Sequence, residues 1–300
     1  MYKAVSIQTG EEIIILSPQW RKKIAQLREM DHRDELVCQG CRQPLRVKAG
    51  EIKRAHFAHK HLKACSYGSE SPEILNARAV LYEWLLREFS SHASGGSALP
   101  SVTVEKVVAG AHLPRPIDCW VETESGPVAY WIVETGIKIQ PREAILFALG
   151  QMGASVHFIM LNPMLNEKRE EFDSLLLTPT ERAFLKETEF DQSLAGASEP
   201  GKTLHYLDVN SAVLTTYRNL VLFHAPNWYK GVKKASRLLT VRASRVDGGF
   251  VHRGEADRQR TYRQRMERRE EKRKKYQERE MAWSTRAISR SQRSEERRVG

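Results

Sequence analysis

The stretch "CQGCRQPLRVKAGEIKRAHFAHKHLKAC", residues 38–65, holds three cysteines and three histidines. Cys38 and Cys41 stand three apart, and Cys65 closes the stretch. Zinc takes thiolate and imidazole ligands in a tetrahedron. Cys38-x2-Cys41 gives a turn with both sulfurs on one side, and Cys65 gives a third thiolate. The fourth ligand is His56 or His59, with His61 a weaker candidate, and the shorter arm to Cys65 favours His59 because it closes the ribbon more tightly. Three thiolates and one imidazole leave no open position, so such a site is structural. The plain alternative is free cysteines in a reducing cytosol. Lys48, Lys53, Arg54, Lys60 and Lys63 surround the stretch and suggest contact with a polyanion.

A second set of residues lies further on. Asp118 sits in "RPIDCWVE" and Glu134 in "AYWIVET", both among apolar neighbours. A carboxylate in such surroundings is costly unless paired or metal-bound. Lys138 follows Glu134 by four residues. Carboxylates holding Mg²⁺ or Mn²⁺, with a lysine beside them, suit phosphodiester hydrolysis. The plain alternative is a strand-end salt bridge. Glu70 and Glu73 flank the start of a helix and could complete the metal shell, or act only as acids favoured by its dipole.

These residues need elements to hold them. Residues 4–16 read as a β-hairpin and residues 18–31 as a helix. "SPEILNARAVLYEWLLREF" (71–89) is the clearest helix: Ser71 caps it, Pro72 starts it, and Ile74, Ala77, Leu81, Trp84 and Leu85 share one face. Residues 90–98 form a connector. Strands follow at 101–109, 115–122 and 128–135, then a helix at 141–152 and a strand at 155–161. This order predicts an α/β core, a mixed sheet covered by helices. Residues 164–200 read as a polar, partly helical insertion. Further strands are expected at 203–209, 220–226 and 237–244, and a long charged helix at 256–282. No internal repeat is found. The expected divisions are residues 1–34, a hairpin and helix; 35–68, a zinc-finger-like knuckle; 69–165, the core; 166–250, an extension; and 251–300, a basic tail.

Composition bounds the partners. Of 300 residues, 48 are Lys or Arg and 37 Asp or Glu, a formal net charge of +11. Residues 251–300 hold 17 of the basic and 9 of the acidic ones, so most of the excess is in the tail. A basic tail suits nucleic acid first and an anionic membrane second. The opening "MYKAVSIQTG" lacks a leader's apolar core, and no run reaches the roughly 18 apolar residues of a membrane span. The expected location is cytoplasmic, where clustered cysteines favour metal over disulfide.

The residues "CQGC", "HFAH", Cys65, "ESPEILNARAVL", "RPIDCWVE", "IVET" and "VHFIML" together resemble the competence protein CoiA-like family, over roughly residues 1–165. The resemblance implies a zinc-finger-like element joined to a restriction-endonuclease-like nuclease domain. It implies a Mg²⁺-dependent DNA nuclease site built from Glu70 or Glu73, Asp118 and Glu134. DNA would be the substrate, and proteins of DNA uptake or recombination the partners. Three positions depart from the family pattern. Gly136 stands where Lys or Gln is expected, with Lys138 or Gln140 as substitutes. Ile74 replaces a histidine, and Arg78 replaces a lysine. The rival expectation is a DNA-binding protein that keeps the fold and the knuckle but has lost turnover.

Overall fold

The computed structural model describes residues 1–50, 54–61, 65, 70–90, 102–108, 113–123, 126–133, 139–162, 169–171, 174–185, 203–224, 227–244 and 248–254. The chain divides into two compact units, Met1–Phe250 and Val251–Gly300. Of the second, only residues 251–254 are described, so the charged helix expected at 256–282 lies outside the described residues.

The chain opens with the expected hairpin. Strands β1 (Lys3–Ser6) and β2 (Glu12–Ile14) pair antiparallel, and β3 (Leu36–Val37) joins the other edge of β1. The predicted first helix is two: α1 (Pro18–Arg21) and α2 (Ile24–His32). Ser17 caps α1, its side chain accepting from the Trp20 amide at 3.3 Å. A separate ribbon, β4 (Leu45–Lys48) with β5 (His56–His59), carries the "HFAH" motif.

Helix α3 (Pro72–Ser90) begins as the sequence predicts, with Ser71 Oγ accepting from the Ile74 amide at 3.2 Å. Next come β6 (Val102–Lys106), β7 (Ile117–Thr123), β8 (Gly126–Val133), α4 (Ile139–Gly150) and β9 (Ser155–Leu161). The polar insertion contains two short strands, β10 (Glu170–Glu171) and β11 (Ser174–Leu176), before the short helix α5 (Pro179–Leu185). Strands β12 (Leu204–Asp208), β13 (Val213–His224) and β14 (Trp228–Arg237) complete the fold. The stretch predicted as a strand at 237–244 instead continues as a 3-10 turn, Leu238–Thr240, and the two-residue strand Arg242–Ala243.

Nine of these strands form one sheet in the order β10-β11-β14-β13-β12-β9-β8-β7-β6. It is mixed: β9 runs parallel to both β8 and β12, and its other neighbouring strands pair antiparallel. Alternation along β8 explains why both faces are covered. Tyr130 and Ile132 pack in the core that includes α3 and the N-terminal hairpin, whereas Ala129, Trp131 and Val133 pack in the core that includes α4 and α5. No helix among the described residues is long and apolar enough to cross a membrane.

Candidate functional site

The cysteine turn follows β3 directly. The Arg42 amide donates to the Cys38 carbonyl at 3.0 Å, and Arg42 takes a left-handed φ of 57° to bring the chain round. The ribbon then decides between the histidines. In a strand, neighbours alternate faces, so residues three apart point to opposite sides. His59 therefore shares a face with Phe57, which is buried, while His56 shares the other with Ala58. His59 Nε2 lies 3.2 Å from Cys41 Sγ, and Cys38 Sγ lies 3.9 Å from Cys65 Sγ. The ligand atoms of Cys38, Cys41, His59 and Cys65 all fall within 4.8 Å of one another. His56 is not in the group; its Nδ1 sits 2.9 Å from the Arg54 carbonyl. His61 is exposed.

Donor type and spacing both fit zinc, and this Cys3His cluster could hold such an ion. Burial pushes the Cys38 thiol up to about 12. Burial also acts to raise Cys41, but hydrogen bonds from the Gln43 amide and the neighbouring thiols outweigh it and lower the group. A bound zinc would supply a cross-link between the cysteine turn and the ribbon.

Two of the basic residues near the knuckle are engaged within the protein. Lys60 pairs with Asp31 and Asp34, each at 2.8 Å, and Arg54 pairs with Glu83 at 2.7 Å. Lys53 and Lys63 lie outside the described residues.

The carboxylates converge on a different partner. Asp118, in β7, and Arg78, in α3, both have side chains at 0% exposure. Arg78 donates from Nε to Asp118 Oδ1 at 3.2 Å and from Nη2 to the same oxygen at 2.7 Å. It also binds Glu70, through Nη1 at 2.8 Å and again through Nη2. Its Nη1 reaches Glu105 Oε1 at 2.5 Å. A second guanidinium closes Asp118 from the other side: Arg115 donates to Oδ1 at 2.7 Å and to Oδ2 at 2.8 Å. The Ile132 amide adds a bond to Oδ2 at 2.7 Å. Arg115 itself lies over the Trp131 ring at 4.4 Å.

The electrostatics follow from this crowding. Burial acts to raise the Asp118 carboxyl, but Arg115 and Arg78 outweigh it and hold the group below its ordinary value. Burial likewise disfavours the charged form of Arg78, yet Glu105, Asp118 and Glu70 raise it well above its usual range. Two guanidiniums face three carboxylates in a nearly closed hub.

Glu105 and Arg115 are not among the residues that the sequence pattern singles out. Glu105 lies opposite Asp118 in the register set by Val104↔Cys119 and Lys106↔Ile117. Its backbone is left-handed, with φ at 51°. That conformation costs a non-glycine residue on the order of 1–3 kcal/mol. The bonds it makes offset this: its carboxylate accepts the amides of Tyr2 at 2.7 Å and Lys3 at 3.0 Å as well as Arg78. The signal that marks Asp118, an acid inside an apolar strand, is equally present in "VTVEKVV".

The remaining predicted residues fall in two groups. Glu73 is exposed in the first turn of α3. Glu134, Gly136 and Lys138 lie outside the described residues, as does the side chain of Gln140. Magnesium needs free oxygen ligands and retains several waters. Asp118 offers neither room nor an unengaged oxygen, because both of its oxygens already accept guanidinium or amide protons. The described residues therefore do not fit a catalytic Mg²⁺ or Mn²⁺ at Asp118.

Residues 19–68 match the family model described as competence protein CoiA, N-terminal domain, and this match supports the competence protein CoiA-like family. It spans α1, α2, the cysteine turn, the ribbon and Cys65. No curated protein matches the chain.

Proposed function

We propose that the protein is a cytoplasmic, competence-type DNA-binding protein whose restriction-endonuclease-like core serves as a scaffold rather than a hydrolytic centre. The observation that carries this reading is the closure of Asp118 by Arg78 and Arg115. An arginine at position 78 delivers a fixed positive charge and five N–H donors to the place where the carboxylates meet. The hub then locks α3 to β6 and β7, and the knuckle packs beside it as a zinc-stabilised element. Its DNA partner is supported by the competence family match and by the basic excess of the chain. Proteins of DNA uptake or recombination are the partners this role implies.

A second reading keeps activity. Asp118, expected to hold the metal, and Glu70, one of two glutamates expected to complete its shell, meet at one guanidinium, which favours a site descended from the nuclease arrangement. In that reading Mg²⁺ or Mn²⁺ requires Asp118 and Glu134, with Lys138 beside them.

Plasmid incubation separates the two. Supercoiled plasmid is mixed with the full chain and Mg²⁺ or Mn²⁺, then resolved with and without protein digestion. The first reading expects a salt-sensitive shift and intact plasmid. Nicking that disappears in Glu134→Ala and Asp118→Ala overturns it in favour of hydrolysis. No shift even at low salt removes the DNA reading and leaves a protein scaffold.

A further inference from the structure

The charge of the β13–β14 ribbon is one-sided. Residues 213–237 contain Arg218, Lys230, Lys233, Lys234 and Arg237 and no Asp or Glu. By contrast, residues 1–250 as a whole hold 31 basic and 28 acidic residues. The ribbon also carries exposed apolar side chains: Val221 is 66% exposed, Leu222 55% and Val232 50%. Strand β11 covers only the start of β14, pairing with Trp228, Tyr229 and Lys230. Among the described residues, no strand pairs with the outer edge of β14 from Gly231 to Arg237.

Alternation spreads the cations over both faces of this edge. Lys230, Val232 and Lys234 share one face, and Lys233 and Arg237 the other. Their cross-strand neighbours are Val221 for Lys230, Arg218 for Val232 and Thr216 for Lys234. Lys233 pairs with Glu170, which fixes it beside the ring of Tyr217.

We propose that the outer edge of the β13–β14 ribbon is a nucleic-acid contact surface that takes the phosphate backbone of duplex DNA. This rests on the DNA reading above and names the surface for it. The two strands themselves carry cations and no acids, the complement of a polyanion, and of these cations Lys233 is matched by Glu170 from β10. Val221 and Val232, on the same face as Lys230 and Lys234, would lie between the phosphate-binding cations and against the sugars. Lysines also guard open strand edges against pairing. Guarding needs charge of either sign; phosphate binding needs positive charge. That difference supplies the test.

The experiment uses the full chain, tail included, and a short fluorescent duplex of arbitrary sequence. The variant is Lys230→Glu/Lys234→Glu/Arg237→Glu, which keeps the edge charged but reverses its sign. The expected result is at least about a tenfold loss of affinity. The slope of log affinity against log salt should also become shallower, by about one for each phosphate the variant no longer neutralises. Where the triple reversal lowers the melting midpoint, Arg237→Gln alone carries the test, with a loss of about threefold and a slope change of about one expected. A folded variant that binds as the unaltered chain does overturns this surface and leaves the DNA reading standing. An unaltered chain that binds no duplex at low salt overturns both.

Discussion

Gln39, in the turn between the Cys38 and Cys41 thiols, donates its Nε2 amide to the Glu105 carbonyl oxygen at 2.7 Å. The carboxylate of the same Glu105 holds Arg78, and Arg78 holds Asp118. A continuous chain of hydrogen bonds thus runs from the knuckle to the buried hub. Zinc that orders the cysteine turn should therefore also protect the hub. A hydrogen bond of this kind is worth about 1 kcal/mol net, roughly a fivefold change in an opening equilibrium. Chelating zinc should speed exchange of the Ile132 amide, which donates to Asp118 at 2.7 Å, by about that factor. In Gln39→Ala the chelator should have much less effect on this amide. Equal protection with and without metal would break the connection.

Glu105 carries strain that its bonds must outweigh. Glu105→Gln keeps the shape but removes the charge facing Arg78. Removing one partner of a buried ion pair costs about 3–5 kcal/mol, because the other charge is left without compensation. Urea unfolding of Glu105→Gln should show a midpoint lowered by a corresponding amount with an unchanged slope. Glu105→Gly relaxes the left-handed backbone, yet it loses the same bonds to Tyr2, Lys3 and Arg78, so it should also destabilise. If both variants unfold within about 1 kcal/mol of the parent, the hub does not hold the fold.

The sequence disclosed what depends on local order. Helix α3 was legible from its 3.6-residue stripe and its Ser71-Pro72 start. Strand β9 fell at residues 155–161 as its apolar run indicated. The Cys and His ligand types were legible because metal spacing is local. The shorter arm to Cys65 already favoured His59 over His56, but what decides between them is that the motif is a strand rather than a turn or helix. The hub was hidden for a different reason. Arg78 meets Asp118 across 40 residues and Glu105 across 27, and nothing local announces such a pairing. Strand β14 was missed because "KGVKKAS" has no apolar alternation: it lies largely exposed along an open edge.

Asp118 should give stability a defined acid limb. Its carboxyl is held below the ordinary value of 3.8 in the folded chain. The stabilisation is therefore fully present above the unfolded value and is lost as pH falls through the lower, folded one. The parent should lose stability progressively below about pH 4. Asp118→Asn should be less stable at neutral pH and flatter through that acid range. Denaturant midpoints collected from about pH 6 down to about pH 2.5 check this. Parallel curves for the two proteins would mean that other carboxylates govern the acid limb.

The two histidines of "HFAH" should behave as opposites. His59 faces the thiols and lies 3.2 Å from Cys41 Sγ, whereas His56 faces the Arg54 carbonyl. His59→Ala removes one of the four side chains that could hold zinc and would leave three thiolates around an ion that prefers tetrahedral closure. Binding free energy at a structural zinc is folding free energy. His59→Ala should accordingly bind zinc far more weakly and melt lower even with zinc in excess. His56→Ala should retain one zinc per chain and nearly the parent's affinity. Atomic absorption after gel filtration gives the stoichiometry, and competition against a chromogenic chelator gives the affinity. Equal losses in both variants would mean that the ribbon does not hold its two-residue alternation around the metal, and that the fourth ligand is not fixed by strand geometry.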